Sequence, residues 1–254
     1  MYVRGGEYGP APVSVMTNVR QIDDAVAAHE DVVHVLDKGF LALDGSLASD
    51  LAVVNGARVS FNQSTDVLAE RDEGLIRYLM RDRHGSPFEH GYFRFIVKAP
   101  LFVVREHHRH RAGHSYNEWS GRYSKMQAEF YVPDNVRTQV GKPGAYTFEP
   151  VAPEVRDAAR AEIEEQAESA FAAYERMLEL GVAKEVARTV LPLTMYTTYY
   201  WSCNPRSLMH FCSLRNSEHA QYEIRQYAAA AESFLAREMP VTHAAFLENG
   251  RIAP

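Results

Sequence analysis

The chain has 254 residues, and its shares of hydrophobic (46%) and charged (24%) residues are typical of a soluble globular protein with one or two domains. A net charge of −6, from 33 acidic and 27 basic residues, argues against general nucleic-acid binding, which needs a broadly basic face. With two cysteines, Cys203 and Cys212, no apolar run of membrane-spanning length and no signal-peptide pattern, we expect a cytoplasmic protein without disulfides or a membrane partner.

The predicted elements mix helices and strands without a βαβ repeat. Residues 1–33, rich in Gly and Pro at first and weakly helical over 19–30, are interpreted as an N-terminal arm. Periodicity and breaker residues then predict helices over 50–58 (capped by Ser49 or Asp50), 66–83, 101–112, 153–181, 183–190, 205–213, 217–237 and 242–247. The same signals predict strands over 34–43, 92–98, 125–132 and 193–202, and loops over 84–90 and 138–150. We therefore expect an α+β fold: a single compact domain, residues 34–254, of helices packed with a mixed or antiparallel sheet.

The segment from Arg105 to Tyr123 concentrates positive charge, with four arginines and four histidines in nineteen residues. A planar guanidinium binds two oxygens at once, so clustered arginine indicates an anion, most often a phosphate. The polar residues that follow the basic run can add directional hydrogen bonds: Ser115, Asn117, Glu118, Ser120 and Arg122. The segment therefore predicts a pocket for a charged, hydrogen-bonding small molecule.

On a helix over 101–112, basic side chains fall on both faces: Arg105, His108 and Arg109 on one, and His107, His110, Arg111 and His114 on the other. Such a helix is expected between two ligands, or between a ligand and another subunit. The alternative is a solvated surface helix. Surface charge runs normally alternate in sign, and here only Glu106 opposes the arginines.

A metal site competes with the anion pocket, because His107, His110 and His114 have the i, i+3, i+7 spacing that helical metal ligands use. The neighbouring Arg109 and Arg111 would repel a cation. We therefore assign no metal, while a histidine-metal hydrolase stays an alternative.

A cysteine nucleophile is a further alternative. Cys203 and Cys212 lie in apolar surroundings, where cysteine is most often plain core packing. Activation would need a nearby positive group such as Arg206 or Arg215. Arg188 also lies in an apolar context, which penalises an unpaired charge, so we expect it to have a protein or ligand partner.

Five motifs, taken in order, resemble the flavin-dependent thymidylate synthases. The central one is Arg109-His110-Arg111 followed by the segment from Ser115 to Tyr123. The others are Ala57 to Phe61, His84 to His90, Glu185 to Pro192, and Asn204 to Gln221. An Arg-His-Arg motif alone would be weak, but the ordered set is strong and covers about residues 34–248.

The resemblance implies reductive methylation of dUMP to dTMP. It implies methylenetetrahydrofolate as carbon donor and NADPH as reductant, acting through FAD, and a homotetramer whose active sites are shared between subunits. A guanidinium at Arg215, beside the N3/O4 edge of uracil, would stabilise negative charge there and activate C5, which makes Arg215 the expected catalytic residue. Neither cysteine is then a nucleophile.

The family pattern also implies the binding residues. Those expected to contact FAD are Ser86, Arg109, His110, Arg111, Glu118, Asn204, Arg206 and His210. Those expected to surround dUMP are Glu106, Arg109, Glu118, Ser120, Gly121, Arg122, Arg188 and Arg215.

Three positions depart from the family pattern. Eight residues, not seven, separate Arg111 from Ser120, and we expect Gly113 to absorb the extra one. His210 stands where the family often has Asn, and Glu106 where it often has Gln. An acid at Glu106 would repel phosphate unless an arginine neutralises it. A nucleotide- or flavin-binding protein without this catalysis therefore stays an alternative to the synthase.

Overall fold

The computed structural model describes Ile22, Val26 and residues 30–254. The strands whose bounds are described are β1 (Val32–Val35), β2 (Gly39–Ser46), β3 (Phe93–Pro100), β4 (His114–Glu118), β5 (Arg137–Lys142), β6 (Ala145–Pro150) and β7 (Tyr196–Cys203). The α-helices whose bounds are described are α1 (Asp50–Arg58), α2 (Glu70–Arg81), α3 (Leu101–His107), α4 (Pro153–Glu179), α5 (Lys184–Ala187), α6 (Pro205–Arg215), α7 (Tyr222–Glu238) and α8 (Pro240–Glu248). No helix in this part of the chain is long and apolar enough to cross a membrane.

The main sheet has five strands in the order β1-β2-β3-β7-β4, and every neighbouring pair is antiparallel. Strand β7 lies between β3 and β4, so it joins the segments before and after α3 although it comes much later in the chain. A separate two-stranded sheet is formed by β5 and β6. The α+β prediction with an antiparallel sheet is confirmed.

The core lies between one face of the main sheet and the C-terminal helices. Phe95 on β3 and Trp201 on β7 are buried with their ring centroids 4.9 Å apart. Phe211 of α6 packs on Trp201 at 5.2 Å, and Phe234 of α7 packs on Phe95 at 5.8 Å. Burial of these large aromatic rings is the main favourable term that holds α6 and α7 on the sheet.

The arm predicted for residues 1–33 and the helical character over 19–30 lie, apart from Ile22, Val26 and residues 30–33, outside the described residues. Val26 is buried against Phe40 and Ile96, on the face of the sheet opposite the main core. Strand β1 begins at Val32, and the division of the chain at residue 33 stays a prediction.

Most predicted elements are present with shifted ends. Ser49 caps α1 by accepting a hydrogen bond from the Ala52 amide at 3.1 Å, as expected. The predicted strand over 34–43 is the β1–β2 hairpin, the helix over 66–83 begins at Glu70, and the helix over 217–237 begins at Tyr222. The helix over 183–190 is α5 followed by a 3₁₀ turn, Arg188–Val190.

The predicted helix over 101–112 is wrong in its second half, because α3 ends at His107. The Tyr116 hydroxyl lies within hydrogen-bonding reach of the carbonyl oxygens of His107 (3.1 Å) and His110 (2.9 Å), which ties the turn after α3 to β4. Gly113, at φ +72°, completes the reversal of the chain. The helix with two basic faces therefore does not exist beyond His107.

Two further predictions are wrong. The expected loop over 138–150 is the β5–β6 hairpin, whose reversal uses Gly141 (φ +104°) and Gly144 (φ +85°). The expected strand over 125–132 is extended chain with one bridge, Phe130 to Met195. Glycine and proline between two short strands look like a loop in the sequence, because hairpin pairing depends on the partner strand as well as on the turn.

Candidate active site

A cleft of about 730 Å³ lies between the turn that follows α3 and the C-terminal end of α6. It is lined by Arg109, His110, Arg111, Ala112, His114, His210, Ser213, Leu214, Arg215, Ser217, His219 and Ala220. The basic segment identified in the sequence thus forms one wall, and α6 with the loop after it forms the other. Three arginines and four histidines around one cleft suit an anionic ligand.

Arg215, the last residue of α6, is the most constrained side chain of the cleft. Its Nη1 donates to Glu106 Oε2 at 2.7 Å, its Nη2 to the Glu106 carbonyl oxygen at 3.3 Å, and its Nε to His110 Nε2 at 3.0 Å. The ion pair is mostly buried, with 18% of the Arg215 side chain and 24% of the Glu106 side chain exposed. The acid at Glu106 is therefore neutralised by an arginine.

The protonation of His110 follows from this contact. Because Arg215 Nε can only donate, His110 Nε2 must accept and carries no proton. Burial, reinforced by the positive charge of Arg215, lowers the pKa of His110 from 6.5 to about 4. Burial raises the pKa of Glu106, and the charges of Arg215 and Arg109 oppose that rise. At neutral pH the cleft therefore presents a neutral imidazole beside a paired guanidinium.

Arg109 and Arg111 differ from Arg215, because both are exposed at the cleft. Within the described residues, neither side chain makes a hydrogen bond or ion pair with the rest of the chain. Their guanidinium groups keep their full donor capacity, which a phosphate or diphosphate could use in a bidentate manner.

The turn predicted to absorb the extra residue between Arg111 and Ser120 is Ala112-Gly113-His114, with Gly113 at φ +72°. Ser207 Oγ of α6 donates to the Ala112 carbonyl oxygen at 2.9 Å, and a Cβ on Gly113 would lie 2.2 Å from Ser207 Oγ. Trp201 Nε1 donates to His114 Nδ1 at 3.0 Å, so the turn is attached to both α6 and β7. His114 lines the cleft, although the family motifs assigned it no role; the sequence signal for it was its place in the basic segment from Arg105 to Tyr123.

A second group of expected residues lies after β4. Gly121 is buried, and a Cβ on it would lie 3.3 Å from Arg188 Cδ, so these two expected substrate residues are neighbours. Arg122 Nε donates to Glu185 Oε2 at 3.1 Å. Arg188 is exposed, so the expected penalty for burying its charge does not arise within one copy of the chain. Ser120 is half-buried at the start of the same turn, and its backbone oxygen accepts from two amides further along.

The remaining expected residues form a third group around the first turn of α6. Asn204 caps the helix by accepting from the Ser207 amide at 2.8 Å. Arg206 donates to Glu89 Oε1 at 2.6 Å and lies against Gly85, which directly precedes the exposed Ser86. Glu118, on β4, accepts a hydrogen bond from Thr197 Oγ1 at 2.9 Å. It belongs to none of the three groups and does not line the cleft.

The structure thus unites six expected residues around the cleft: Glu106, Arg109, His110, Arg111, His210 and Arg215. The residues of the second and third groups do not line this cleft.

A family model described as "Thymidylate synthase complementing protein" matches residues 43–241. The chain is also 46% identical over 253 residues to the flavin-dependent thymidylate synthase of Streptomyces coelicolor, covering 94% of this chain and all of that protein. The chain belongs to the flavin-dependent thymidylate synthase family. The enzyme of that name from Tropheryma whipplei (strain TW08/27) is 47% identical over 220 residues, covering 82% of this chain and 91% of the relative.

Solved structures of a family relative extend the likeness to three dimensions. A UMP/dUMP methylase, PolB from Streptomyces cacaoi, was crystallised with 5-Br UMP; it superposes with a TM-score of 0.79 at 44% identity, covering 87% of this chain and 99% of that one. The same protein bound with 5-Br dUMP gives a TM-score of 0.80 at 43% identity.

The residues of the two alternative sites, the histidine cluster and the two cysteines, lie in the described part of this member of the flavin-dependent thymidylate synthases. Among the described residues, no group of three or more His, Cys, Asp or Glu side chains is placed to hold a metal ion. Cys203 and Cys212 are buried free thiols, and burial raises the pKa of both well above its usual value. A protonated, inaccessible thiol is a poor nucleophile.

The family name implies a flavin, and the donors of the cleft fit its anionic part. The unpaired, exposed Arg109 and Arg111 suit phosphate oxygens, and the neutral His110 lies beside them. A second cavity of about 510 Å³, between β1 and α7, has Asp37 and Asp134 among its lining residues. None of its described lining residues is Arg or Lys, so it does not suit a phosphate-bearing ligand.

Proposed function

We propose that this protein catalyses the reductive methylation of dUMP to dTMP, with methylenetetrahydrofolate as the carbon donor and NADPH as the reductant through FAD. The observation that carries the proposal is the arrangement of Arg215, held by Glu106 and His110 at the rim of a cleft that also presents two unpaired arginines. The family membership and the nucleotide analogues bound to its structural relative support the same reading.

In the proposed mechanism, Arg215 acts on the pyrimidine. A guanidinium at the N3/O4 edge of uracil stabilises negative charge on that edge and makes C5 more nucleophilic. The half-buried position of Arg215 strengthens this effect, because the surrounding dielectric is lower than in water. FAD bound there, once reduced by NADPH, would supply the hydride for the reduction.

The other expected residues are proposed as binding groups. Arg109, His110, Arg111 and His210 would hold FAD from the cleft, with Ser86, Glu118, Asn204 and Arg206 adding contacts. Ser120, Gly121, Arg122 and Arg188, with Arg109 and Glu118, would surround dUMP. The neighbouring positions of Gly121 and Arg188 support this second set.

We propose a homotetramer whose active sites combine residues from different copies. Its support is the separation of the expected residues into three groups, of which only the first lines the cleft of one copy. A shared site would unite groups that one copy leaves apart. A cytoplasmic location is proposed as well, supported by the two free thiols.

The visible absorption spectrum of the purified protein is the first test. Flavin bands that bleach with NADPH, at a rate that changes with dUMP, followed by dTMP formation once methylenetetrahydrofolate is added, are the expected result. A yellow protein that never forms dTMP would favour a flavin-binding protein without this catalysis. A colourless protein that takes up no FAD would contradict the proposal.

A second candidate activity is methylation of UMP, because the structural relative is described as acting on UMP as well as dUMP. Running the same assay with UMP separates the two substrates. Comparable kcat/KM values for UMP and dUMP would make the protein a methylase of both nucleotides.

A further inference from the structure

Glu106 is an acid at a position where the family often has Gln, and its carboxylate contacts another residue of the protein. It lies in the last turn of α3, where its carboxylate and its own carbonyl oxygen both accept hydrogen bonds from Arg215. Arg215 is 109 positions further along the chain, so this pair links the ends of α3 and α6.

The contacts of Glu106 differ from those expected of a group that binds a nucleotide. A carboxylate next to a phosphate repels it and so weakens nucleotide binding. A carboxylate that already accepts a hydrogen bond from Arg215 also has fewer lone pairs left to accept one from a substrate. The charged groups acting on Glu106 are Arg215 and Arg109, which favour its ionised form, and Glu223 on α7, which opposes it. His110 completes the surroundings through its bond with Arg215.

We propose that Glu106 is a positioning residue, which holds the guanidinium of Arg215 in its working orientation and does not itself contact the substrate. The inference rests on the proposed function, because Arg215 is the group that would polarise the pyrimidine.

The hydrogen-bond count of Arg215 supports this role. A guanidinium has five N–H donors. Three of them are used by the two oxygens of Glu106 and by His110 Nε2, which orients the planar group at three points. One donor on each terminal nitrogen is left for a ligand. A displacement of about 1 Å in such a group costs up to about 100-fold in rate, so the anchor matters for turnover.

Two substitutions separate positioning from substrate binding. Glu106→Ala removes the side-chain acceptor, and we expect kcat for dTMP formation to fall by about 10- to 100-fold with KM for dUMP changed less than about 3-fold. Glu106→Gln keeps an oxygen that accepts from Arg215, so its kcat should stay within about 5-fold of the parent. The matched control is Glu73→Ala, which breaks an exposed Glu–Arg pair on α2 and should leave kcat unchanged. FAD content and thermal midpoints are measured for each variant.

Crystal structures of the same variants give a readout that needs no activity. We expect Arg215 to keep its place in Glu106→Gln and to move in Glu106→Ala. An Arg215 that stays in place in Glu106→Ala would overturn the proposal whether or not the parent protein makes dTMP.

Two kinetic outcomes would also overturn it. One is a rise in KM for dUMP at constant kcat in Glu106→Ala, which would make Glu106 a substrate contact. The other is an equal loss of kcat in Glu106→Gln and Glu106→Ala. Failure of the parent protein to form dTMP would overturn only the proposed function.

Discussion

At the scale of single residues, Arg215 carries the central prediction. Arg215→Ala should lower kcat for dTMP formation by at least about 100-fold, because a preorganised donor at a developing charge typically contributes that much. The protein should stay folded and keep its FAD, since Arg215 is the last residue of α6 and its side chain lines the cleft and is not part of the hydrophobic core. Steady-state dTMP assays with flavin absorbance check both parts.

Arg81→Ala is the matched control for that variant, because Arg81 is exposed on α2 and forms an ion pair with its neighbour Asp82, outside the cleft lining. Undiminished turnover in Arg215→Ala would remove its catalytic role.

His110 should make stability depend on pH. Burial is the main reason that its pKa is about 4 in the folded protein, compared with 6.5 in the unfolded chain. The unfolded chain therefore binds more protons between these values, and stability falls as the pH drops from about 6.5 towards 4. His110→Gln, which keeps an acceptor for Arg215, should show a smaller loss of thermal midpoint between pH 7 and pH 5 than the parent.

Circular dichroism melting at the two pH values measures this effect, with His34→Gln, an exposed histidine on β1, as the control. His107 and His114 also have pKa values lowered by burial, so the loss should shrink in His110→Gln and not vanish. Equal losses in His110→Gln and the parent would contradict the protonation scheme.

At the scale of elements, the turn between α3 and β4 should support the cleft. Gly113 and Gly144 both have positive φ, +72° and +85°, but only Gly113 faces a neighbour. Gly113→Ala adds a clash with Ser207 and Asn204 on top of about 1–2 kcal/mol of backbone strain. We expect it to weaken FAD binding, whereas Gly144→Ala carries the backbone strain alone.

Titration with FAD, followed by flavin fluorescence, compares the two variants, and chemical denaturation measures the change in the free energy of unfolding. Equal FAD affinities in Gly113→Ala and Gly144→Ala would show that the turn does not position the cofactor residues on α6.

The β5–β6 hairpin shows how a distant residue fixes an element. Arg137, at its start, bonds both carboxylate oxygens of the buried Glu223 on α7, with distances of 3.0 to 3.1 Å. Burial acts to raise the pKa of Glu223, but the hydrogen bonds from Arg137 and Gln221 outweigh it and hold the pKa below its usual value. An ion pair this buried is costly to break from one side, so the hairpin is firmly attached at its base.

At the scale of the whole molecule, the proposed sharing of active sites predicts complementation. Arg215→Ala and Arg188→Ala should each be inactive alone. Mixed oligomers should regain about a quarter of the parent activity, because about one site in four then draws both intact arginines from different copies.

The assay co-expresses the two variants with different affinity tags, isolates the mixed oligomers and measures dTMP formation. The control is a mixture of each variant with itself. Mixed oligomers with no recovered activity would place both arginines in a site formed by one copy.

Much of this architecture follows from local patterns. Alternating apolar residues predicted β3, and the long apolar stripe beginning after Pro153 predicted α4, because these periodicities report which side chains must be buried. The residues around Arg109 identified the family, and Gly113 indicated a turn of the chain, which the structure has at φ +72°.

Other features were decided only by the tertiary structure. The end of α3 at His107 depends on Tyr116, which comes later in the chain and whose hydroxyl reaches back to the carbonyl oxygens of His107 and His110. Sequence spacing could not identify Arg215 as the partner of Glu106, because the two residues are 109 positions apart. They are neighbours because β7 pairs between β3 and β4 and α6 follows β7. Sequence by itself determined which segments are buried and which chemical groups are available. The path of the chain decided which of those groups meet, because contacts between distant residues depend on the packing of the elements between them.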